Sequence, residues 1–533
     1  MIGDAQTVYE AFAATAAHHP IRPMLNVLPG TAGVYGIDAG EILYAEALAR
    51  VDHLAARFEA AGYGAGMRVA LLLENRPDFF LLWLALNKIG ASVVPINPDL
   101  RAAELEYLIG HAEPALIISI PSRMEELGLA AGAAGVDLSV IPPDLAPPAP
   151  RAGASVAAPG DGQTREAAIL YTSGTTGKPK GCVLPNAYFL LAGDWYARVG
   201  GIATLHDEGE RMITPLPIFH MNAMAYSFMA MIAVGGCLTA LDRFHPRSWW
   251  ADVAVSGATC LHYLGVMPSM LLGLPQTPQD RGHSVRFGFG AGVDPKKQHQ
   301  FEDRFGFPLV EAWAMTETGA GAVIAAANHD RLVGEASIGT PGPEVEVMLR
   351  DDAGNPSDQG ELLVRRAGND PRYGFFSHYE KDQAATDAAW EGGWFHTGDI
   401  VRRGADGNMF FVDRKKNVIR RSGENIAAVE VESILMRHPA ITAAGVAAVP
   451  DPVRGDEVFA CVTAAGVTAE EIATWCLDQM AYYKVPGYIA FVDALPLTPT
   501  QKIQRAALKA LALELRDDPA TVDTTALKKR QVA

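Results

Sequence analysis

The stretch Tyr171–Gly181 (YTSGTTGKPKG) has the composition of a loop that could hold phosphate groups. It is rich in glycines and hydroxyl side chains, carries Lys178 and Lys180, and directly follows the strand-like run Ala167–Tyr171. Glycines let the backbone approach a ligand, hydroxyl and N–H groups can surround phosphate oxygens, and lysines supply positive charge. It is not a Walker A loop, because Thr172 stands where that pattern needs a glycine. A flexible polar turn would share this composition, but the density of donors favours nucleotide binding.

Four further segments place small or polar residues where they could contact a ligand. The segment Gly288–Gly292 (GFGAG) is not a dinucleotide-binding fingerprint, because Val293 occupies the place of the last glycine. Taken alone, His220 would be a structural histidine, Thr316–Glu317 would suit a helix cap, and Asp399 would suit a surface turn. Their significance depends on their order along the chain.

In that order the segments resemble the motifs of the acyl-adenylate-forming superfamily, which includes acyl-CoA synthetases, peptide-synthetase adenylation domains and luciferases. The resemblance runs from about residue 40 to about residue 510, nearly the whole chain. Residues 411–426 (FVDRKKNVIRRSGENI) and 480–489 (MAYYKVPGYI) are most similar to the crotonobetaine/carnitine-CoA ligase branch. The resemblance implies an ATP-dependent carboxylate:CoA ligase that forms an acyl-adenylate and then an acyl-CoA, with AMP and pyrophosphate as the other products.

The resemblance also implies an ATP site built from several motifs. Gly290–Gly292 would lie along the adenine, Trp313 would stack on it, and Asp399 and Arg414 would contact the ribose. The complete expected ATP-binding set is Thr172, Ser173, Gly174, Thr175, Thr176, Gly177, Lys178, Lys180, Gly290, Ala291, Gly292, Trp313, Asp399 and Arg414.

Four residues are expected to act in catalysis by the same resemblance. His220 would position the substrate carboxylate and Thr316 would face the α-phosphate. Glu317 would hold Mg²⁺, a hard cation suited to carboxylate oxygen. Lys502 would bridge the carboxylate and the α-phosphate during adenylation. The implied cofactors are therefore ATP and Mg²⁺, with coenzyme A as co-substrate.

A second set of residues is expected to serve thioester formation. Ser422, Gly423 and Glu424 match the loop that binds CoA, with Gly423 lining the pantetheine channel. Lys416 matches the family hinge, a short stretch that absorbs a large change in φ and ψ. The resemblance implies that the C-terminal domain rotates about Lys416, withdrawing Lys502 and bringing in the Gly423 loop.

Three positions depart from the family pattern. Trp313 replaces the usual tyrosine, and an aromatic ring there can still stack on adenine. Ala314 replaces the usual glycine and is expected to alter the depth of the acyl slot. Gln501 replaces the glycine before Lys502 and is expected to stiffen or reshape that turn.

The elements that must position these residues alternate between strand-like and helical patterns. Examples are the helical spacing of Ile42–Ala61, the strand-like Arg68–Leu73, the helical Asp78–Gly90 and the strand-like Ala91–Ile96. This rhythm predicts an α/β fold of layered sheets with covering helices. The apolar stretch 223–241 resembles a membrane span in length, but we interpret it as a buried helix followed by a buried strand.

After charged turns at Arg402–Gly407 and Asp413–Lys416, a compact α+β pattern follows: strand-like Ala443–Val449, helical Ala469–Met480 and strand-like Tyr488–Val492. We therefore expect an N-terminal ATP- and acyl-binding domain over 1–414. A small, mobile C-terminal domain over 415–533 would carry the adenylation lysine. Beyond Leu515 the chain is polar and is expected to fray.

The charge and the cysteine content of the chain indicate which classes of partner and which compartment to expect. The net charge of −17 gives no support for binding a nucleic-acid backbone. The five cysteines form no CxxC pair, and the N-terminus lacks a basic region followed by an apolar run. Both features predict a cytoplasmic protein in a reducing compartment. A homodimer is the default expectation for its assembly.

Three rival functions remain open. A peptide-synthetase adenylation domain would carry an Asp for the substrate amine after the TPLPIF segment, where this chain has His220–Ala225 (HMNAMA), and 31 residues after Lys502 leave no room for a carrier domain. An acyl-AMP ligase that loads a carrier protein would be expected to have an insertion in the large domain. An inactive binding or scaffold homologue is disfavoured by the joint presence of Glu317, Asp399, Arg414 and Lys502. The acid is expected to be short or medium, polar or aryl, and its pocket to draw on 220–226, 288–292 and 313–318.

Overall fold

The computed structural model describes residues 2–151, 153–154, 160–172, 179–351, 353–414, 418–496 and 503–529. Within them, the strands in chain order are β1 (Pro23–Val27), β2 (Gly40–Leu43), β3 (Arg68–Leu72), β4 (Ser92–Pro95), β5 (Leu116–Ser119), β6 (Ser139–Ile141), β7 (Glu166–Thr172), β8 (Lys180–Pro185), β9 (Arg211–Thr214), β10 (Cys237–Ala240), β11 (Cys260–Leu264), β12 (Phe287–Ala291), β13 (Leu309–Trp313), β14 (Ile324–Ala325), β15 (Ser337–Pro341), β16 (Val345–Arg350), β17 (Gln359–Arg366), β18 (His378–Tyr379), β19 (Phe395–Arg403), β20 (Met409–Arg414), β21 (Val418–Arg421), β22 (Glu424–Ala427), β23 (Ile441–Asp451), β24 (Gly455–Ala464), β25 (Tyr488–Phe491) and β26 (Val522–Asp523).

Helices alternate with these strands, as the sequence predicts. They are α1 (Val8–His18), α2 (Pro29–Tyr35), α3 (Tyr44–Ala61), α4 (Pro77–Lys88), α5 (Ala102–Ala112), α6 (Met124–Ala133), α7 (Asn186–Arg198), α8 (Met229–Val234), α9 (Trp249–Ser256), α10 (Val266–Leu272), α11 (Pro295–Phe305), α12 (Gln383–Ala389), α13 (Ala428–Leu435), α14 (Ala469–Gln479) and α15 (Arg505–Leu515).

The largest sheet has a parallel centre that ends at one common edge. Its strand order is β16-β17-β19-β20-β15-β14-β13-β12-β11-β9-β10-β1-β2, and the pairs from β13 across to β1 are all parallel. The carboxyl ends of parallel strands meet along one edge of a sheet, where α/β proteins bind ligands. We therefore expect the ligand site at the edge formed by the carboxyl ends of β9, β11, β12 and β13.

A second sheet packs behind buried helices. Its order is β18-β8-β7-β4-β3-β5-β6. Helix α4 is buried from Phe79 to Asn87, as expected for a helix enclosed between layers. Its Trp83 ring contacts Phe189 of α7 and Phe228. The predicted arrangement of layered sheets with covering helices is confirmed.

A third sheet is formed by the last part of the chain. It has the order β22-β21-β24-β25-β26, with β23 paired to β24, and helices α13, α14 and α15 pack against it. Its buried side chains form clusters separate from the main core. The predicted strands and helix of this α+β unit are confirmed within two residues at each end.

The apolar stretch 223–241 folds as a buried helix followed by a buried strand, as predicted. Its helix begins as a π-helix over Asn222–Phe228, continues as α8 and is followed by β10. No described helix is both long and apolar enough to cross a membrane. The π-helical geometry has no counterpart in the sequence prediction.

Two local predictions were wrong. Asp413 and Arg414 do not form a turn, because they continue β20 and pair with Ile400 and Asp399 of β19. The segment after Leu515 does not simply fray: β26 pairs with β25, and Lys528 is buried. The polar composition of this segment gave no indication that it would pair with a strand or bury a lysine.

Candidate active site

The predicted site residues of the large domain converge at the carboxyl edge of the parallel strands. His220 follows β9, Gly290 and Ala291 end β12, and Gly292 is the next residue. Trp313 ends β13, and Thr316 and Glu317 lie in the turn that follows it. Residues that are up to 97 positions apart in the sequence are therefore brought to one edge.

The glycines after β12 are required by the backbone. A Cβ atom on Gly290 would lie 2.2 Å from the carbonyl oxygen of Tyr263, and Gly292 has φ +82°. The turn is held by Glu311, whose carboxylate accepts hydrogen bonds from the backbone N–H groups of Gly292 (2.7 Å) and Val293 (3.2 Å). Burial raises the pKa of Glu311. Sequence analysis missed Glu311, although an acidic residue in the apolar run of β13 was a usable signal.

Trp313 and Asp399 contact each other directly. The indole Nε1–H donates to Asp399 Oδ2 at 2.9 Å, and both side chains are buried. The carboxylate of Asp399 is therefore oriented by the tryptophan that replaces the family tyrosine. The backbone of Arg414 lies opposite Asp399 in the β19–β20 pair.

A hydrogen bond to Tyr379 of β18 connects Glu317 to the second sheet. The Tyr379 hydroxyl donates to Glu317 Oε1 at 2.9 Å, and Lys180 Nζ sits 4.6 Å from the centroid of the Tyr379 ring. Burial raises the pKa of Tyr379, with a further contribution from Glu317, so the hydroxyl keeps the proton that it donates. Lys180 also lies 3.7 Å from Asp382. Tyr379 and Asp382 are additions to the predicted set.

These contacts place Glu317 beside the ends of the predicted phosphate loop. Thr172 and Lys180 are paired residues of the β7–β8 hairpin, on either side of that loop. The positions between them, Ser173–Lys178, lie outside the described residues, as do Lys416 and the stretch 497–502 that includes Lys502.

The chemistry of Glu317 fits a magnesium ion. Mg²⁺ is usually bound by one or two carboxylates together with substrate phosphates and water, so a single carboxylate beside a phosphate loop is a suitable donor. Within the described ranges, no group of three His, Cys, Asp or Glu side chains is arranged to hold a metal. The expectation thus rests on Glu317 and the phosphates of a bound nucleotide.

The loop of the third sheet that was predicted to bind CoA reaches the same edge. Ser422 has φ +50° and Gly423 φ +93°, and a Cβ on Gly423 would lie 2.2 Å from Leu264 Cδ1 at the end of β11. Glu424 Oε1 lies 3.3 Å from His220 Nε2. Two residues predicted to serve different half-reactions are therefore in contact.

A buried ion cluster between α5 and the third sheet accompanies this contact. Lys484 is buried and donates to Glu430 and Glu104. Glu104 also accepts from the backbone N–H of Ala481 at 3.0 Å and from that of Arg101, where it caps α5. Burial would lower the pKa of Lys484, but Glu104 and Glu430 outweigh it and raise the pKa above its usual value.

The two arginines before the predicted CoA loop have different surroundings. Arg421 is buried and donates to Glu457, so its guanidinium is not available to a ligand. Arg420 is partly exposed and lies beside Gly292.

Comparisons with known proteins identify the family of the chain. A family model described as AMP-binding enzyme matches residues 12–373, and one described as AMP-binding enzyme C-terminal domain matches residues 430–502. The chain is 32% identical to sulfoacetate–CoA ligase of Cupriavidus necator, over 94% of this chain and 97% of the relative. It is 29% identical to crotonobetaine/carnitine–CoA ligase of Salmonella arizonae, over 92% and 98%.

A solved structure has the same fold. It is o-succinylbenzoate CoA synthetase from Bacillus subtilis, a double mutant bound with a product analogue. The TM-score is 0.80 at 23% identity, covering 94% of this chain and 98% of that one.

Proposed function

The chain belongs to the AMP-binding enzyme family, and from this premise we propose that it joins a carboxylic acid to coenzyme A through an acyl-adenylate. It is an acid–thiol ligase by its similarity to CoA ligases. The overall reaction converts the acid, ATP and CoA into an acyl-CoA, AMP and pyrophosphate.

The contact between the Gly423 loop and the large domain is the observation that carries this proposal. Gly423 touches Leu264 and Glu424 touches His220, so the predicted CoA loop lies at the edge that also carries Gly292 and Trp313. An enzyme that uses a thiol acceptor needs such a second loop at the acyl end of its nucleotide site. This favours CoA over a reaction that stops at the adenylate.

In the first step, a carboxylate oxygen of the acid attacks the α-phosphorus of ATP, and the bond to pyrophosphate breaks. Catalysis of this type depends on positioning and on stabilising charge. His220 orients the carboxylate, Thr316 faces the α-phosphate, and Asp399 holds the ribose. Lys178, Lys180 and Lys502 supply positive charge. When bound at Glu317, Mg²⁺ would offset the negative charge of the phosphates.

In the second step, the CoA sulfur attacks the acyl carbonyl carbon. The acyl C–O bond breaks, its electron pair leaves with the phosphate of AMP, and the thiol proton passes to water. Gly423 lets the pantetheine arm pass, because any side chain there would collide with Leu264. Glu424 draws His220 into a hydrogen bond, away from its task in the first step.

The two steps require two positions of the C-terminal unit, with the boundary between 414 and 415 and the hinge at Lys416. The last strand of the large sheet ends at Arg414 and the first strand of the third sheet begins at Val418, which supports this boundary. The contacts of Gly423 with Leu264 and of Glu424 with His220 support assigning the arrangement described above to the second step.

The test is pyrophosphate release with ATP and Mg²⁺ over a panel of aliphatic, aryl, betaine and sulfonate acids, with and without CoA. We expect sustained release that needs CoA and yields AMP and a thioester. Pyrophosphate release that stops after one turnover and does not depend on CoA would instead indicate an acyl-AMP ligase with a carrier-protein acceptor. Absence of release with every acid, from a protein that still binds ATP, would favour the inactive homologue.

A further inference from the structure

A short polar chain lies behind the predicted acyl pocket. The π-helix Asn222–Phe228 begins two residues after His220, and such turns are frequent at functional sites. Asn222 is partly exposed, whereas the rest of the π-helix is buried. A π-helix closes hydrogen bonds five residues apart, so residues four or five apart share one of its faces. Tyr226 and Ser227 therefore lie on the same face as Asn222.

His262 fixes the orientation of the Asn222 amide. Asn222 Oδ1 lies 2.6 Å from His262 Nδ1, and Tyr196 Oη lies 3.0 Å from His262 Nε2. Burial lowers the pKa of His262 to about 3, so the ring is neutral and has one N–H. Because an amide oxygen can only accept, that proton is on Nδ1, and Tyr196 donates to Nε2. Ser227 Oγ, 2.9 Å from Nδ1, completes the chain.

The chain leaves two hydrogen-bond donors without partners. With its oxygen bound to His262, Asn222 presents its NH₂ group, for which no acceptor exists among the described residues. The Tyr226 hydroxyl is buried and likewise has no partner in the described part of the chain. A buried polar group without a partner is rare and costly. Because Tyr226 and Asn222 also lie in the predicted acyl pocket, a bound substrate can supply the missing acceptor.

The rings packed against Tyr226 and His262 are aromatic and neutral. Phe289, which precedes Gly290 on β12, packs against Tyr196, Tyr226 and His262. Trp195 meets Tyr226 edge to face, and its indole donates to Glu344. Burying a charge without a partner is far more costly than burying a neutral acceptor. Two neutral donors in this setting suit a neutral oxygen.

We propose that Asn222 and Tyr226 select a short carboxylic acid whose other end carries a neutral hydrogen-bond acceptor, such as an oxo group. His262 acts as a positioning residue, because it turns the Asn222 amide so that the NH₂ group faces the substrate. This inference rests on the ligase function proposed above and specifies its substrate class.

The test compares oxo acids of increasing chain length with alkyl acids of the same length, by kcat/KM for thioester formation. We expect the preferred oxo acid to exceed its alkyl match by roughly 10- to 100-fold. Asn222→Leu and Tyr226→Phe should each lower the ratio of kcat/KM for the oxo acid to kcat/KM for its alkyl match by about 10-fold. Succinate, sulfoacetate and a betaine complete the panel.

Two further variants separate specificity from folding. His262→Phe should reduce the preference as Asn222→Leu does, and the double variant should lose no more than either alone, because both remove the same contact. Tyr63→Phe is the matched control. Tyr63 is another buried hydroxyl without a described partner, and its ring packs against Phe58 of α3, outside the predicted acyl pocket, so the preference should be unchanged.

Equal turnover of oxo and alkyl acids, or preference for the dianionic acids or the betaine, would overturn the inference while leaving the ligase intact. Absence of thioester from every acid would overturn the ligase proposal and this inference together. An unaltered preference for oxo over alkyl acids in both Asn222→Leu and Tyr226→Phe would also contradict the inference that these residues select the substrate.

Discussion

At the scale of single residues, the contact between Trp313 and Asp399 is predicted to affect ATP binding. A hydrogen bond to a charged group contributes about 1.5–3 kcal/mol. Trp313→Phe keeps an aromatic ring for stacking but removes the indole N–H that orients Asp399. We expect KM for ATP to rise by roughly 10-fold, with little change in KM for the acid.

Steady-state kinetics with ATP varied at saturating acid would measure this effect. Trp475→Phe is the control, because Trp475 lies in α14 and its ring contacts His438. An unchanged KM for ATP in Trp313→Phe would mean that the indole N–H has no part in nucleotide binding.

Which site residues can be predicted from sequence depends on whether they stand in a contiguous motif. Gly290, Trp313 and Glu317 occur in short contiguous runs, and they meet at one edge as expected. Tyr379 and His262 were missed, because each acquires its role from a partner at least 35 residues away. Such pairs are set by strand order, which local composition does not encode.

At the scale of elements, the turn between β21 and β22 should control the second half-reaction. Gly423→Ala would strain a backbone with φ +93° and push a methyl group against Leu264. We expect thioester formation from a supplied acyl-adenylate to slow by roughly 10-fold or more, with adenylation within about twofold of normal.

Pyrophosphate exchange for adenylation and single-turnover CoA transfer would separate the two steps. Gly466→Ala is a matched control in the same unit: Gly466 has φ +73° but open space around it. If both variants behaved alike, backbone strain rather than the contact with Leu264 would be responsible.

The elements also show where sequence patterns were sufficient. Helix α3 and strand β3 were predicted within two residues, because their apolar periodicity reflects the layer that they cover. The π-helix was not predicted. Its sequence (NAMAYSF) has few polar residues, so no clear periodicity distinguishes a π-turn from an α-turn.

At the scale of the whole molecule, the cluster of Glu104, Lys484 and Glu430 should hold the arrangement used for thioester formation. Glu104→Gln keeps the cap of α5 but removes one of the two charges that face Lys484. We expect CoA transfer to slow by roughly 10-fold, because breaking part of a buried ion cluster favours separation of the two units. Adenylation should be unaffected.

Glu106→Gln serves as the control, since Glu106 is exposed on the same helix. Measuring the rates of adenylation and of CoA transfer separately in both variants tests whether Glu104→Gln slows CoA transfer alone. A loss of both half-reactions in Glu104→Gln would indicate damage to α5 rather than to the interface.

The docking of residues 522–528 has a consequence for biosynthesis. Strand β26 lies beside β25, Thr524 donates to the carbonyl oxygen of Pro486, and Lys528 reaches Glu457, the partner of Arg421 just before the CoA loop. The support of that loop is therefore completed only after these residues have left the ribosome. A nascent chain could fold its nucleotide domain early yet acquire thiol transfer late.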